Sequence, residues 1–288
     1  EGVRKSEADK LREEIKIVKG DPVTKNMLLK INDKIKNYFI DKGYLKTNVS
    51  ITQIVDTAND GIVLKINVNK YSKVKIKNIN IYGNNNIKTS KIKRTFKDTK
   101  ERKIYRIFKP SKYIEADFIK DKNKLIDKYN VLGFRDAFIA KDSVYFVNNK
   151  FVNIDIYLSE GDKYYFGNIN WVGNTKYSDG ELNSVLKIKK GDVYNQKLLE
   201  TNLFMNLDGK DVSSLYLDEG YLFFNVNPIE TNVYNDTIDI EIRINEGQQA
   251  TINKVTIKGN TKTSDHVILR EIRTKPGQLF SRSDIIRT

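Results

Sequence analysis

The sequence predicts an α+β fold in which one β-α-α-β-β module is repeated in tandem. Three patterns support this prediction: a Gly-Asn pair that closes a short alternating strand, a Gly-aromatic pair that follows a helix, and a later strand with an apolar residue at every second position. The glycine of the Gly-aromatic pair recurs about every 90 residues, and self-similarity at a fixed period indicates an array of similar domains.

The first element of each module is a short strand that ends in Gly-Asn. Its apolar residues alternate within 79–82, 169–172 and 255–258, as expected for a strand with one buried face. Glycine and asparagine both tolerate positive φ, so the pair predicts a tight turn after the strand. These structural turns are Gly83-Asn84, Gly173-Asn174 and Gly259-Asn260.

Two helices follow each turn. Serines at 90, 178 and 264 are typical helix N-caps, and Ser178 with Glu181 has the spacing of a capping box. The second helix ends in the pattern Tyr-x-x-x-Gly-aromatic. A glycine just past a helix is typical of the left-handed C-cap position. The C-cap glycines are Gly43, Gly133 and Gly220, and the tyrosines expected to pack under the following aromatic residue are Tyr38, Tyr129 and Tyr216.

Two more strands complete the module. The second strand begins at the aromatic residue after the glycine and covers 44–51, 134–140 and 221–226. The third alternates apolar and polar residues over 62–68, 152–158 and 238–244, and Glu-Gly follows it in the last two copies. Period-2 alternation indicates that one face of this strand is buried.

These patterns divide the chain into four modules, at 1–72, 73–163, 164–249 and 250–288. The first module lacks the opening strand, and the fourth stops inside its second helix. Because a strand and helix alone cannot bury their apolar faces, we expect the fourth module to be poorly ordered or docked on a neighbour. The connections between modules are short, so the array is expected to form an elongated rod.

Composition excludes several classes of function. The net charge is +14, yet the lysines are spread along the chain and no nucleic-acid motif is visible, so no nucleic acid is expected as a partner. The sequence contains no cysteine and a single histidine, His266, and none of the common catalytic motifs. We therefore expect a non-enzymatic protein with no catalytic, cofactor or metal site.

The order of elements, the Gly-Asn and Gly-aromatic pairs and the Glu-Gly after the third strand resemble POTRA domains, the polypeptide-transport-associated modules of BamA-type proteins. The first module departs from the pattern, with Asn69-Lys70-Tyr71 in place of Glu-Gly. The resemblance implies a three-stranded mixed sheet packed on two helices in each module. It also implies a location on the periplasmic side of the outer membrane, ahead of a C-terminal membrane β-barrel in the same chain.

The resemblance further implies that the modules receive unfolded outer-membrane proteins and dock accessory lipoproteins of the assembly complex. Two alternatives remain: the periplasmic region of a TamA-like or two-partner secretion transporter, and a basic repeat scaffold that binds an acidic partner. The total number of repeats would separate a BamA-type protein from the two kinds of transporter. A basic scaffold would instead show a continuous basic stripe on one face and binding that weakens as salt increases.

An exposed sheet edge can bind an extended client through main-chain hydrogen bonds, which is β-augmentation. In the fold implied by the resemblance, the second strand lies at an edge. We rank 134–140 as the best docking edge because few charges follow Asp136, and the alternative is an ordinary edge strand covered by its neighbour. The predicted partner-binding residues of this edge are Phe134, Ala137, Phe138, Ile139 and Ala140.

Two insertions distinguish individual modules. The loop 100–109 in the second module is basic and aromatic, and Tyr105, Arg106 and Phe108 are its candidate contacts with a partner or with lipid headgroups. The alternative is that this loop folds back and covers the helices of its own module. In the third module, extra residues at 205–211 include Asp208-Gly209, a turn signal that should interrupt the second helix. This insertion is either a partner contact or a surface bulge.

Overall fold

The computed structural model describes residues 1–18, 20–57, 61–103 and 111–288. The chain divides into two compact units. The first unit comprises Glu1–Asp127 and Phe138–Glu160, and the second comprises Lys128–Ala137 and Gly161–Thr288.

The first unit opens with two helices and a hairpin. Helix α1 is Lys5–Ile15 and α2 is Lys25–Ile40, and the hairpin strands are β1 (Asn48–Asp56) and β2 (Gly61–Asn69). The strands are antiparallel, and Glu1 lies beside β2, where its carbonyl accepts the Val68 N–H at 3.1 Å. The inward side chains form a small core of Leu11, Ile31, Ile35, Phe39, Val49 and Val68.

The rest of the first unit contains a mixed sheet with strand order β3-β5-β4. Strand β3 (Lys75–Tyr82) is parallel to β5 (Phe151–Ser159), and β4 (Phe138–Asn148) is antiparallel to it. The helices between β3 and β4 are α3 (Thr89–Thr95) and α4 (Glu115–Val131). The predicted three-stranded mixed sheet with the second strand at its edge is confirmed.

The second unit repeats this arrangement with strand order β6-β8-β7. Its strands are β6 (Tyr165–Val172), β7 (Asn225–Tyr234) and β8 (Thr237–Asn245). Helix α5 is Asp179–Leu186, and the second helix of the module is divided into α6 (Gln196–Glu200), a π-helical turn (Thr201–Met205) and α7 (Val212–Asp218). The predicted interruption at 205–211 is confirmed, and buried Asp211 caps α7 by accepting the Ser214 N–H at 2.8 Å.

The last segment forms α8 (Asp265–Glu271) and α9 (Arg282–Ile286), neither of which contains a buried residue. The predicted strand at 255–258 is not formed, because a strand needs a paired ladder and these residues pair with none of the described strands. The segment instead packs on the preceding module. The Asp218 carboxylate, for example, accepts the Ser283 N–H at 2.7 Å.

The Gly-Asn turns depend on close contact with the central strand. Gly83 has φ +81°, and a Cβ on it would lie 2.1 Å from the carbonyl oxygen of Leu158. Gly173 has φ +89°, and its Cβ would lie 2.2 Å from the carbonyl oxygen of Ile244. Glycine is therefore required both for the left-handed backbone and for the absence of a side chain.

The glutamate of each Glu-Gly pair closes the same turn from the other side. Glu160 accepts the Asn86 N–H at 2.8 Å, and Glu246 accepts the N–H groups of Thr175 and Lys176 at 2.8 Å each. In the first module, Lys70 occupies the place of this glutamate and forms an ion pair of 2.8 Å with Glu7. The following residue, Tyr71, adopts φ +52°, where the other modules have glycine.

The Gly-aromatic glycines lie just past the helix ends with a left-handed backbone, as predicted, and φ is +89° to +95° at Gly43, Gly133 and Gly220. They also have a role that the pattern did not indicate: each carbonyl accepts an N–H from the start of the next module. The donors are Val74, Tyr164 and Ala250, at 2.9, 2.8 and 2.7 Å respectively.

Two details of the helix predictions are wrong. Helix α3 begins one residue before Ser90, and its N-cap is Lys88, whereas Ser178 does form the predicted capping box with Glu181. In the first module Phe39, and not Tyr38, packs edge-on against Tyr44 with ring centroids 6.1 Å apart. The cause is a difference of one residue in the distance to the C-cap glycine, since Tyr129 and Tyr216 pack as predicted in the later copies.

Candidate functional site

The predicted docking edge includes two residues that are not on the surface. Phe134 and Ala137 are each 6% exposed, and the Ala137 N–H donates to the Phe134 carbonyl in a turn. The strand begins only at Phe138, so the predicted strand start at 134 is wrong. The short turn buries the aromatic ring before the chain extends, and these two residues are therefore not available at a docking edge.

Strand β4 is the terminal strand of its sheet, and its first residues are accessible. Phe138 is 54% exposed, Ile139 is half-buried and Ala140 is exposed. The following segment, Ser143–Val147, contains neither a charged residue nor a proline. Long uncharged edge strands without proline are the ones that accept an additional strand.

The outer face of this sheet is aromatic. Tyr82 on β3 lies opposite Tyr157 on β5, and their rings stack with centroids 4.8 Å apart and planes at 18°. Tyr145 on β4 is 43% exposed and lies opposite Asn153. Stacked and exposed tyrosines supply a broad apolar surface with polar tips, which is the composition of many protein-binding surfaces.

Asn153 adds an unused hydrogen-bond acceptor beside the edge strand. Its side-chain oxygen is buried and has no partner among the described residues. The Asn153 amide nitrogen lies 3.5 Å from the Tyr145 hydroxyl, at the limit of a hydrogen bond. The outer face therefore combines aromatic surface with one buried acceptor that the described residues leave unsatisfied.

Lysines lie on both sides of the residues Val144 and Tyr145 of β4. The Lys46 ammonium lies 4.8 Å from the centroid of the Phe146 ring and donates to the Asn149 side chain at 2.6 Å. Directly before this stretch, Lys122 forms an ion pair of 2.9 Å with Asp142. Charges beside an edge discourage pairing, so the accessible stretch is centred on Val144 and Tyr145.

The corresponding edge strand of the second unit, β7, is less suited to strand addition. Pro228 lies within it and has no N–H to donate. Glu230 on the same strand accepts hydrogen bonds from Tyr194 at 2.7 Å and forms an ion pair of 2.8 Å with Arg135. The outer face of this sheet also contains the charged pair Glu241 and Arg243.

The other predicted contacts, Tyr105, Arg106 and Phe108, lie outside the described residues. Within the part of the chain that the structure describes, no helix combines the length and apolar character needed to cross a membrane.

Comparison with known proteins matches the chain to one family along its whole length. The POTRA family, described as surface antigen variable number repeat, matches residues 1–71, 74–161, 164–247 and 250–288. These four matches lie close to the predicted module boundaries.

Two curated relatives are named outer membrane protein assembly factor BamA. The one from Nitratidesulfovibrio vulgaris is 24% identical over 271 residues, which cover 93% of this chain and 34% of the relative. The one from Neorickettsia risticii is 26% identical over 255 residues, which cover 87% and 33%. This chain thus spans about a third of the length of these relatives.

A solved structure supports the fold. The crystal structure of Haemophilus influenzae BamA POTRA3-5 aligns with a TM-score of 0.54 at 20% identity, covering 74% of this chain and 82% of that one. The same modular β-α-α-β-β architecture is thus present in both. On the family match over all four modules, the chain belongs to the POTRA family.

Proposed function

We propose that this chain is the periplasmic region of a BamA-type outer-membrane assembly factor and receives unfolded outer-membrane proteins by β-augmentation on β4. The names of the relatives support the assembly role. The observation that carries the docking site is the uncharged, proline-free stretch Ser143–Val147 on a terminal strand.

β-Augmentation suits a receiver of many different clients. Main-chain N–H and C=O groups supply affinity without requiring a particular client sequence. Strands destined for a membrane barrel alternate apolar and polar residues. One face of such a strand would extend the aromatic surface of Tyr82, Tyr145 and Tyr157, and its other face would remain in water.

In this proposal, accessory lipoproteins dock on the same edge through an extended segment. A folded partner that presents one free strand satisfies the edge in the same way as an unfolded client. The two kinds of partner would then compete for β4.

The test is a crosslinking scan in cells that express the full-length protein. Photoreactive residues replace the exposed Phe138, Tyr145 and Val147 on β4, and Val233 and Tyr234 on β7 serve as matched controls. We expect crosslinks to outer-membrane proteins or lipoproteins from β4 and several-fold fewer from β7. Equal yields from both strands, or crosslinks from β4 only to this chain itself, would refute the docking site.

A guarding charge supplies a second test. Val147→Lys places an ammonium group on the open stretch, and Val233→Lys makes the same change on the control edge. We expect Val147→Lys to reduce the client crosslinks made through Tyr145 without changing the urea unfolding midpoint. Unchanged crosslinking in a folded Val147→Lys protein would contradict β-augmentation at this edge.

A further inference from the structure

A cavity of about 310 Å³ lies between β3 and α3 in the first unit, apart from the β4 edge. Among the described residues, four basic side chains and one carboxylate line it, so this part of the lining has a formal excess of positive charge. The lining consists of Ile79, Ser90, Lys93, Arg94, Thr99, Lys100, Glu101 and Lys103.

The carboxylate among these lining residues shows that the cavity stabilises negative charge. Glu101 accepts the Ile79 N–H at 2.8 Å and the Lys93 ammonium at 2.7 Å. Burial, the largest single influence, raises the pKa of Glu101, but the hydrogen bonds from Lys93 and Ile79 outweigh it and lower the pKa overall. The surroundings therefore stabilise an anion at this position.

A second observation points to a ligand. Thr99 is 3% exposed, and its hydroxyl has no hydrogen-bond partner among the described residues. The backbone of Thr99 is held firmly, because its N–H donates to the buried Asp121 carboxylate at 2.7 Å. A buried hydroxyl without a partner costs stability unless a water or a bound group satisfies it.

The corresponding recess of the second unit provides an internal comparison. It lies beside β6 and α5, has a volume of about 530 Å³, and is lined largely by amide and hydroxyl side chains with Lys189 and Lys190. Lys190 donates to the Asn168 side chain at 2.9 Å, and the Asn168 N–H donates to Asp239 at 2.6 Å. The recess itself thus recurs with the fold, whereas the dense basic lining belongs to the cavity beside α3.

We propose that the cavity beside α3 binds a phosphate group, with Arg94 and Lys93 supplying charge and the Thr99 hydroxyl donating a hydrogen bond. A phosphate group has more oxygens than a carboxylate to accept several donors at once, and as a monoester it also carries more negative charge. The guanidinium of Arg94 presents paired N–H donors that match two of these oxygens. The source is either a soluble phosphate or the headgroup of an anionic phospholipid.

The first experiment titrates the ¹⁵N-labelled 288-residue chain with sodium phosphate at pH 7, against sodium chloride at equal ionic strength. We expect saturable shifts of the Thr99 and Ile79 amide resonances with sodium phosphate and no such shifts with sodium chloride. Arg94→Gln should weaken binding about tenfold, since it removes a charge-assisted hydrogen bond. Lys91→Gln is the matched control, because Lys91 is an exposed residue of the same helix that does not line the cavity.

Thr99→Val and Thr99→Ser separate binding from folding. Thr99→Val removes the unpartnered hydroxyl at nearly constant volume, so we expect a urea midpoint that is not lowered and phosphate binding weakened about fivefold. Thr99→Ser should retain binding. Absence of saturable shifts, or equal effects of Arg94→Gln and Lys91→Gln, would overturn the proposal.

Vesicle flotation distinguishes the two sources of phosphate. If the ligand is a lipid headgroup, the protein floats with phosphatidylglycerol vesicles but not with phosphatidylcholine vesicles, and Arg94→Gln abolishes flotation while Lys91→Gln does not. If phosphate binds in the titration but no vesicle does, the ligand is a soluble phosphate compound. Flotation that Arg94→Gln leaves unchanged would show that the cavity is not the lipid-binding site.

Discussion

Gly173→Ala tests the physical basis of the Gly-Asn turn. Gly173 has φ +89°, and a left-handed backbone costs a non-glycine residue about 1–2 kcal/mol. The added Cβ would also lie 2.2 Å from the carbonyl oxygen of Ile244, and relieving that clash by moving the strand costs roughly 1–3 kcal/mol. We therefore expect the free energy of unfolding to fall by about 2–5 kcal/mol.

The chain offers a control with the same backbone conformation. Gly259 also has φ +89°, but no atom of the described residues lies within 4 Å of the position of its Cβ. Gly259→Ala should therefore cost only the conformational part, about 1–2 kcal/mol at most. Gly209→Ala is a second control, with φ +66° and equally open space.

The assay is urea unfolding followed by tryptophan fluorescence. Trp171 is the single tryptophan of the chain and is 7% exposed in the core of the third module, so its emission reports on that module. With a urea m-value of about 2 kcal/mol per molar, Gly173→Ala should lower the midpoint by about 1–2.5 M. Equal midpoints for Gly173→Ala and Gly209→Ala would refute the argument that the strand carbonyl forbids a side chain.

Three further predictions concern charged groups. Asp121 is fully buried, and its pKa is lowered overall because hydrogen bonds led by the one from Thr99 outweigh the opposing effect of burial. The stability it contributes is therefore present above about pH 4 and lost as pH falls below it, and Asp121→Asn should cost about 2 kcal/mol at pH 7 and flatten the acid side of a plot of urea midpoint against pH. Lys70→Glu brings a second carboxylate to Glu7 in place of the 2.8 Å ion pair, so we expect a loss of about 1 kcal/mol that shrinks in high salt, measured by circular dichroism in urea. Asp211→Ala removes the cap of α7 and leaves the Ser214 N–H without its acceptor, which should cost about 2 kcal/mol by Trp171 fluorescence, whereas an unchanged midpoint would show that solvent replaces the cap.

Local patterns were sufficient for much of the fold. The positive φ of Gly173 and Gly220 follows from residue type and position, because a turn or a C-cap needs a left-handed residue at that point. The alternation over 152–158 likewise indicated a half-buried strand, which is now β5 at the centre of its sheet. These features depend on neighbours in the chain, and such neighbours are visible in a sequence.

The candidate docking site was predicted only in part. Placing the second strand at an edge came from the resemblance to POTRA domains, and the sheet order confirms it. The start of that strand could not be derived, because no sequence pattern indicated the turn in which the Ala137 N–H donates to the Phe134 carbonyl. The aromatic face of Tyr82, Tyr145 and Tyr157 was also missed, since its members lie on three different strands.

By itself, the sequence determined the order of elements in each module, the period of the repeat, and the positions where the backbone must turn. Only the tertiary structure decided which segments, distant in the chain, come into contact. It placed the carbonyl of Gly133 against the N–H of Tyr164, left the hydroxyl of Thr99 without a partner, and exposed the middle of β4. The physical reason is that turns and caps are satisfied by residues a few positions away, whereas burial and hydrogen bonding at these sites depend on residues brought together only by folding.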